Sequence, residues 1–197
     1  MDNNYSTKEE VLKITNKYYI SYYCKNNTCV LTDYNYANNY IEFPDKNGNL
    51  IKYISETCSY NVIESDNCYT INCKNDNDCL YNKCYKNHCM FNNETDIIHC
   101  DDIYIKPTIL KNKSSYMYCG KAYGDICKNN NECSSKQCKN NYCLMQTNGP
   151  SDSEGIGIAF ELLFYIFIFV FILVFFILIL YIIYKCYNKY HKLKYKT

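Results

Sequence analysis

The sequence predicts a small, disulfide-rich domain of mostly β-strands and loops, followed by one C-terminal transmembrane helix. Residues 1–155 contain 14 of the 15 cysteines but only 24 Leu, Ile, Val and Phe residues, about 15%, which is below the roughly 20% at which a conventional hydrophobic core becomes doubtful. Residues 162–183 form an apolar run without a charge. Because the first part cannot build a large core, we expect disulfide bonds to stabilise it.

The composition excludes several classes of protein. Ile, Asn, Lys and Tyr supply 94 of the 197 residues, a bias typical of an AT-rich genome, so clusters of Lys or Asn receive little weight. The formal net charge is only +1, and nucleic-acid binding needs a basic surface, so we expect no nucleic-acid partner. The motifs G-x-S-x-G and H-E-x-x-H and a Gly-rich phosphate loop are absent from the sequence. We therefore expect that the protein is not an enzyme and that it has no catalytic residue and no cofactor.

The apolar run predicts a transmembrane helix at residues 156–184. Its 22 uncharged residues, LLFYIFIFVFILVFFILILYII, would span roughly 33 Å as a helix, enough to cross a hydrocarbon core of about 30 Å. The tail at residues 185–197 contains five lysines and no acid. Since basic flanks stay in the cytoplasm, we expect the tail to be cytoplasmic and the N-terminus outside, in the plasma membrane or another membrane of the secretory pathway. Cys186, just inside the membrane, is a candidate for palmitoylation.

The sequence leaves open how the N-terminal part reaches the outside, because residues 1–20 lack the basic start and apolar stretch of a signal peptide. Three explanations remain. A signal could lie upstream of the recorded start, the helix itself could translocate the preceding chain, or the protein could be tail-anchored with its cysteines in the cytosol. We favour the first explanation, because the third would put five lysines across the membrane and 14 thiols in a reducing compartment.

Two stretches, residues 73–90 and 127–144, have the same cysteine pattern C-x5-C-x4-C-x4-C. They align without a gap at a period of 54 residues and are identical at eight of 18 positions. Such constant spacing indicates a duplicated structural unit, because disulfide geometry tolerates little change in the distance between cysteines. We expect cysteine-rich repeats at residues 58–90 and 91–144.

Four cysteines allow three pairings, and spacing alone does not choose among them. We favour the interleaved order, first with third and second with fourth. It joins Cys73 with Cys84, Cys79 with Cys89, Cys127 with Cys138 and Cys133 with Cys143.

The sequence does not assign disulfide partners to the other six external cysteines. Cys58 and Cys68 precede the first stretch, and Cys100 and Cys119 precede the second. The segment from Cys24 to Cys29 is either a separate pair or a degenerate remnant of a unit. Zinc is the alternative chemistry for clustered cysteines, but structural zinc sites usually contain a C-x2-C bite, which this chain lacks. We therefore expect no metal.

The remaining segments allow weaker predictions. Residues 1–57 are predicted to be an N-terminal region, and the sequence of residues 37–58 predicts a β-hairpin at its end, because apolar residues alternate around the turn sequence PDKNG. Residues 7–19 have weak helical periodicity, with a candidate cap at Ser6. Residues 145–155 are predicted to be a polar stalk with little capacity to pack. Candidate glycosylation sites are Asn4, Asn26, Asn93 and Asn112.

The two cysteine stretches, with Asp78 and Glu132 before the second cysteine of each, resemble the N-terminal cysteine-rich domains of Dickkopf proteins. The resemblance covers about 36 of the 197 residues and implies an interleaved disulfide fold and extracellular protein binding. Dickkopf proteins are secreted, whereas this chain has a membrane helix, so receptor antagonism is not carried over. The chain also resembles repeat-bearing, single-pass surface proteins of AT-rich microbial genomes.

We therefore expect a single-pass surface protein whose repeats bind a protein or glycan partner. One alternative is a structural or shielding surface protein without a specific ligand. Another is a membrane-fusion component of a viral envelope, by a distant likeness to C-terminally anchored proteins of large DNA viruses.

Overall fold

The computed structural model describes residues 5–32, 39–150 and 154–194, and it confirms the predicted fold class. Short strands and loops joined by seven disulfide bonds precede one long apolar helix. The chain divides into two compact units. The first comprises Met1–Lys106 and Lys113–Pro150, and the second comprises Pro107–Asn112 and Ser151–Thr197.

The described residues contain eleven short strands. They are β1 (Tyr5–Thr7), β2 (Ser21–Lys25), β3 (Thr28–Thr32), β4 (Tyr40–Pro44), β5 (Leu50–Ile54), β6 (Cys84–Tyr85), β7 (His88–Cys89), β8 (Ile98–Ile105), β9 (Ser114–Gly120), β10 (Cys138–Lys139) and β11 (Tyr142–Cys143). Three α-helices accompany them: α1 (Lys8–Lys13), α2 (Tyr60–Glu64) and α3 (Glu154–Lys194).

A five-stranded antiparallel sheet in the order β1-β3-β2-β8-β9 forms the centre of the first unit. The pairing of β2 with β8 joins segments that are far apart in the chain, with Tyr23 opposite His99. The sheet therefore combines the N-terminal region with the segment between the two cysteine stretches.

The predicted hairpin is confirmed as β4 and β5, which pair antiparallel from Tyr40 opposite Ile54 to Pro44 opposite Leu50. The Asp45 side chain closes the turn by accepting hydrogen bonds of 2.8 Å from the backbone N–H groups of Asn47 and Asn49. An aspartate that bonds its own following backbone is a common device of tight turns.

The N-terminal helix is shorter than the predicted range of residues 7–19. Thr7, not Ser6, caps α1, and its hydroxyl accepts from the Glu10 backbone while the Glu10 carboxylate accepts from the Thr7 backbone. This reciprocal capping box satisfies two N–H groups that a helix start leaves unpaired. The helix ends after Lys13, because Ile14 has an extended backbone.

Two small apolar clusters lie on opposite faces of the sheet, because neighbouring residues of a strand point to opposite sides. Tyr23 belongs to the larger cluster, which includes residues of the β4–β5 hairpin and of the first cysteine stretch. Cys24 belongs to the other cluster, which lies against Val11 of α1. Each cluster has few apolar members, as the composition predicts.

The second unit contains α3, and Ala159–Asn188 within it includes an 18-residue stretch with a mean hydropathy of 3.6. This segment is long and apolar enough to cross a membrane, and none of it is buried. The helix is longer at both ends than the predicted 156–184, since it begins at Glu154 and continues to Lys194. Part of the predicted stalk packs against the sheet, because the Gln146 side chain accepts from the Tyr104 N–H at 3.1 Å and the Tyr19 hydroxyl donates to the Pro150 carbonyl at 2.8 Å.

Candidate functional site: a polar cleft on a disulfide framework

Seven disulfide bonds hold the first unit, and each joins cysteines close in sequence. They are Cys24–Cys29, Cys58–Cys68, Cys73–Cys84, Cys79–Cys89, Cys100–Cys119, Cys127–Cys138 and Cys133–Cys143. The largest separation between partners is 19 residues. Within residues 73–89 and 127–143, which we call the first and second cysteine units, the order is interleaved.

The two cysteine units have the same local structure. In both, the bond from first to third cysteine spans Cα atoms 6.0 Å apart, and the bond from second to fourth spans 5.4 Å. A short 3-10 turn precedes the second cysteine of each unit. In each turn a side-chain oxygen, from Asp76 or Asn130, accepts a 2.8 Å hydrogen bond from the N–H of the third cysteine. The same spacing of side chains therefore produces the same fold twice.

A C-x4-C hairpin occurs three times in the first unit, and its cysteines bond in two ways. Each hairpin has a two-residue turn with both residues at positive φ, such as Asn26 and Asn27, which suits the twist of the strands. Cys24 and Cys29 lie directly opposite each other and are bonded to each other. Cys84 and Cys89 are also opposite, yet each is bonded to a cysteine earlier in its unit. The earlier cysteines thus decide the pairing.

Each cysteine unit is attached to a preceding β-hairpin through its second cysteine. Cys79 forms a parallel bridge with Ile54 at the end of β5, and Cys133 forms one with Lys121, next to β9. The second contact requires a glycine, because a Cβ atom on Gly120 would lie 2.5 Å from the Glu132 carbonyl oxygen. Each cysteine unit is therefore positioned by the hairpin that precedes it, β4–β5 for the first and β8–β9 for the second.

The disulfides also account for the sulfur clusters of the first unit. Three sulfur atoms in each cysteine unit lie within 4.8 Å of one another, close enough to share a metal ion. They belong to Cys73, Cys79 and Cys89, and to Cys127, Cys133 and Cys143. Zinc binds cysteine as the thiolate, whereas each of these sulfurs is already bonded to another sulfur. Crossed disulfides therefore explain the clusters in the oxidised chain.

A buried polar cluster joins the sheet to the second cysteine unit. Ser134 donates a hydrogen bond to Asp101, and the same Asp101 oxygen lies 3.3 Å from Nδ1 of the fully buried His99. Burial raises the pKa of Asp101, but the electrostatic interaction with His99 and the hydrogen bonds from His99 and Ser134 outweigh this effect, so the pKa of this carboxyl is lowered. Serine and aspartate both face Nδ1 of the ring, unlike a hydrolytic triad, in which they face opposite nitrogens.

The candidate site is a cleft of about 600 Å³ where four segments meet. We call it the polar cleft. The segments are the β2–β3 turn, β5, the first cysteine unit and residues 94–97, and the lining residues are Lys25, Asn26, Ile51, Tyr53, Asn77, Leu80, Asn82, Glu94, Thr95, Asp96 and Ile97.

Cross-links and local hydrogen bonds hold the walls of the polar cleft. Asn77 lies on the 3-10 turn Asp76–Asp78. The carboxylate of the next residue, Asp78, accepts hydrogen bonds from the backbone N–H groups of Lys74 and Asn75, at 2.7 and 2.9 Å. These hydrogen bonds lower the pKa of the Asp78 carboxyl. On the opposite wall the Lys25 ammonium lies 4.0 Å from the centre of the Tyr53 ring. The site is therefore largely preformed, as binding sites for small molecules usually are.

The chemistry of the polar cleft suits a ligand with many hydroxyl groups. Three asparagine side chains offer both donors and acceptors, two carboxylates offer acceptors, and Lys25 offers a donor. Apolar surface comes from Ile51, Leu80 and Ile97. No sequence signal predicts this site, because its residues come from four separate segments and asparagine is abundant throughout the chain.

The candidate glycosylation sites differ in their surroundings. Asn26, Asn93 and Asn112 are exposed, and Asn4 lies outside the described residues. Asn26 also lines the polar cleft. Cys186 is exposed and is not in a disulfide bond, and its acylation stays a prediction.

Comparisons with models of protein families, with curated proteins and with solved structures find no match. The architecture, a disulfide-rich domain with one apolar helix able to cross a membrane, fits a membrane-anchored, cysteine-rich surface protein.

Proposed function

We propose that the chain is a single-pass surface protein that binds a glycan in the polar cleft, with its disulfide-rich domain outside the cell and its basic tail in the cytoplasm. The observation that supports a binding role is the polar cleft itself, a concave site about 600 Å³ in volume with convergent amide and carboxylate groups. The cores of protein–protein interfaces are depleted in charge and rich in aromatic side chains, so the mixed polar lining favours a glycan over a protein partner. The proposed topology rests on the five lysines that follow the apolar run of residues 162–183.

Two asparagines provide a matched pair of variants to test this proposal. Asn77 lines the polar cleft, and Asn131 is the corresponding residue on the 3-10 turn of the second cysteine unit. Both are exposed. We expect Asn77→Ala to weaken glycan binding about tenfold, since truncation of a hydrogen-bonding partner costs about 1–2 kcal/mol, while Asn131→Ala leaves the affinity unchanged.

The measurement is a glycan-array screen of the purified chain, followed by calorimetric titration of the best ligand against wild type and both variants. The proposed site would be contradicted if Asn77→Ala and Asn131→Ala lowered the glycan affinity equally. It would also be contradicted if neither Asn77→Ala nor Asp96→Ala changed a saturable binding.

The shielding alternative makes a different prediction about Asn26. Because Asn26 lines the polar cleft, an N-linked glycan attached there would itself occupy this space. A shielding protein should therefore carry a glycan at Asn26 and show no saturable binding. Peptide mass spectrometry of the natural protein distinguishes the two, because the binding proposal requires an unmodified Asn26.

A further inference from the structure

The turn that joins β8 to β9 exposes two apolar side chains at its tip. Leu110 is 97% exposed and Ile109 is 39% exposed. Thr108 and Lys111 form a backbone bridge that closes the turn. Ile109 and Leu110 are therefore held at its tip. Removal of such a pair from water would be favourable, since each buried aliphatic side chain contributes to binding.

The charges around the tip have one sign. Residues 106–113, KPTILKNK, contain three lysines and no acid. Lys106, Lys111 and Lys113 are all exposed. Apolar residues flanked by lysines are typical of segments that lie at the membrane interface, where apolar side chains enter the acyl boundary and ammonium groups meet phosphates.

The strand that leads into the tip contacts a residue that lies shortly before the membrane helix in the sequence. The N–H of Tyr104, two residues before Lys106, donates to the Gln146 side chain at 3.1 Å. The first unit ends four residues later, at Pro150, and α3 begins at Glu154. The intervening chain can extend over at most about 14 Å. The chain therefore passes from Gln146, beside β8, to the membrane-spanning segment that begins at Ala159 over few residues.

We propose that the β8–β9 turn inserts Ile109 and Leu110 into the headgroup layer of the membrane in which the chain itself is anchored. Lys106, Lys111 and Lys113 bind lipid phosphates around the inserted tip. The occupant is thus a phospholipid surface, in contrast to the soluble ligand of the polar cleft, and the two proposals are independent.

The test uses the full chain in nanodiscs that contain a phospholipid with a photoreactive group near its headgroup. After irradiation, lipid adducts are mapped by peptide mass spectrometry. We expect adducts on the peptide of residues 106–113, with at least about tenfold fewer in I109S/L110S. The matched control is Leu50→Ser, which changes an exposed leucine of the β4–β5 hairpin and should leave the adducts unchanged. A count of seven disulfides in each variant verifies folding.

A second comparison tests the lysines. We expect K106Q/K111Q/K113Q to lower the adducts more in nanodiscs that contain phosphatidylserine than in phosphatidylcholine alone. No adduct in the wild-type turn, or equal adducts in I109S/L110S, overturns the proposal. Adducts that appear only when the reactive lipid is supplied in separate vesicles also overturn it, in favour of an opposing membrane. A glycan on Asn112 in the natural protein would overturn it as well, because that sugar would keep the tip out of the lipid.

Discussion

Leu80 and Ser134 occupy corresponding positions in the two cysteine units, directly after the second cysteine, yet their surroundings differ. Leu80 is buried in the larger apolar cluster with Tyr23. Ser134 is buried in the polar cluster, where its hydroxyl donates to Asp101 and its backbone N–H donates to the Lys121 carbonyl. One unit is thus attached to the sheet through apolar contacts and the other through buried hydrogen bonds, which are costly to leave unpaired.

The Asp101 carboxylate should make the stability of the chain sensitive to acid. Its pKa is lower in the folded chain than the ordinary value of about 3.9, so its contribution is present above that value and is lost as the pH falls through the folded-state pKa. We expect Asp101→Asn to cost about 1–3 kcal/mol at neutral pH and to flatten the decline of the melting temperature below about pH 4. Thermal denaturation monitored by circular dichroism across this range measures both effects.

The neighbouring Asp102 gives a control of opposite sign. Burial raises its pKa, so the stability associated with its protonated form is present below the ordinary value and is lost as the pH rises through the folded-state pKa. Asp102→Asn should therefore raise the free energy of unfolding relative to wild type at neutral pH, and this gain should disappear in acid, where Asp102 is protonated. The same pH response in both variants would contradict the opposite pKa shifts assigned to Asp101 and Asp102.

Among the elements, disulfide bonds differ in how much of the structure depends on them. The core of the second cysteine unit consists only of cysteines, namely Cys127, Cys133, Cys143 and the half-buried Cys138. In contrast, the β2–β3 hairpin has five register pairs and is flanked by β1 and β8.

We therefore expect C133A/C143A to unfold the second cysteine unit, because the substitution removes half of its sulfur core. C24A/C29A should lower the free energy of unfolding by about 2–4 kcal/mol without loss of the sheet. Hydrogen exchange of residues 121–144 measures the difference between these variants. Retained protection of that segment in C133A/C143A would show that contacts other than the disulfide hold the unit.

Some elements could be predicted from the sequence and others could not. The hairpin of β4 and β5 could be predicted, because PDKNG and alternating apolar residues are local signals. The pairing of β2 with β8 could not, since no local pattern relates Tyr23 to His99 across such a sequence distance. The predicted helical range of residues 7–19 is longer than α1, because the weak periodicity of the sequence continues beyond Ile14, where the backbone becomes extended. The polar cleft depends on those long-range pairings, so its location was not predictable.

At the scale of the whole molecule, the redox state of the cysteines reports on topology. The seven disulfides belong to the part of the chain that precedes the helix, and Cys186, near the C-terminal end of the segment able to cross a membrane, is a free thiol. Disulfide bonds persist in oxidising compartments, whereas thiols stay reduced in the cytosol.

Alkylation of the intact chain before reduction should therefore label Cys186 alone. If the cysteine is palmitoylated, labelling should require prior treatment with hydroxylamine, which cleaves thioesters. Cys186→Ser serves as the control and should remove the signal under both conditions. Labelling of any cysteine from the two cysteine units would contradict the oxidised framework.

The short reach of every disulfide has a consequence for proteolysis. No disulfide connects the chain up to Cys29 with the chain from Cys58 onward, so only strand pairing and packing hold these parts together. A single protease cut between these two cysteines would give fragments that stay associated under native conditions but separate in denaturant, even without a reducing agent.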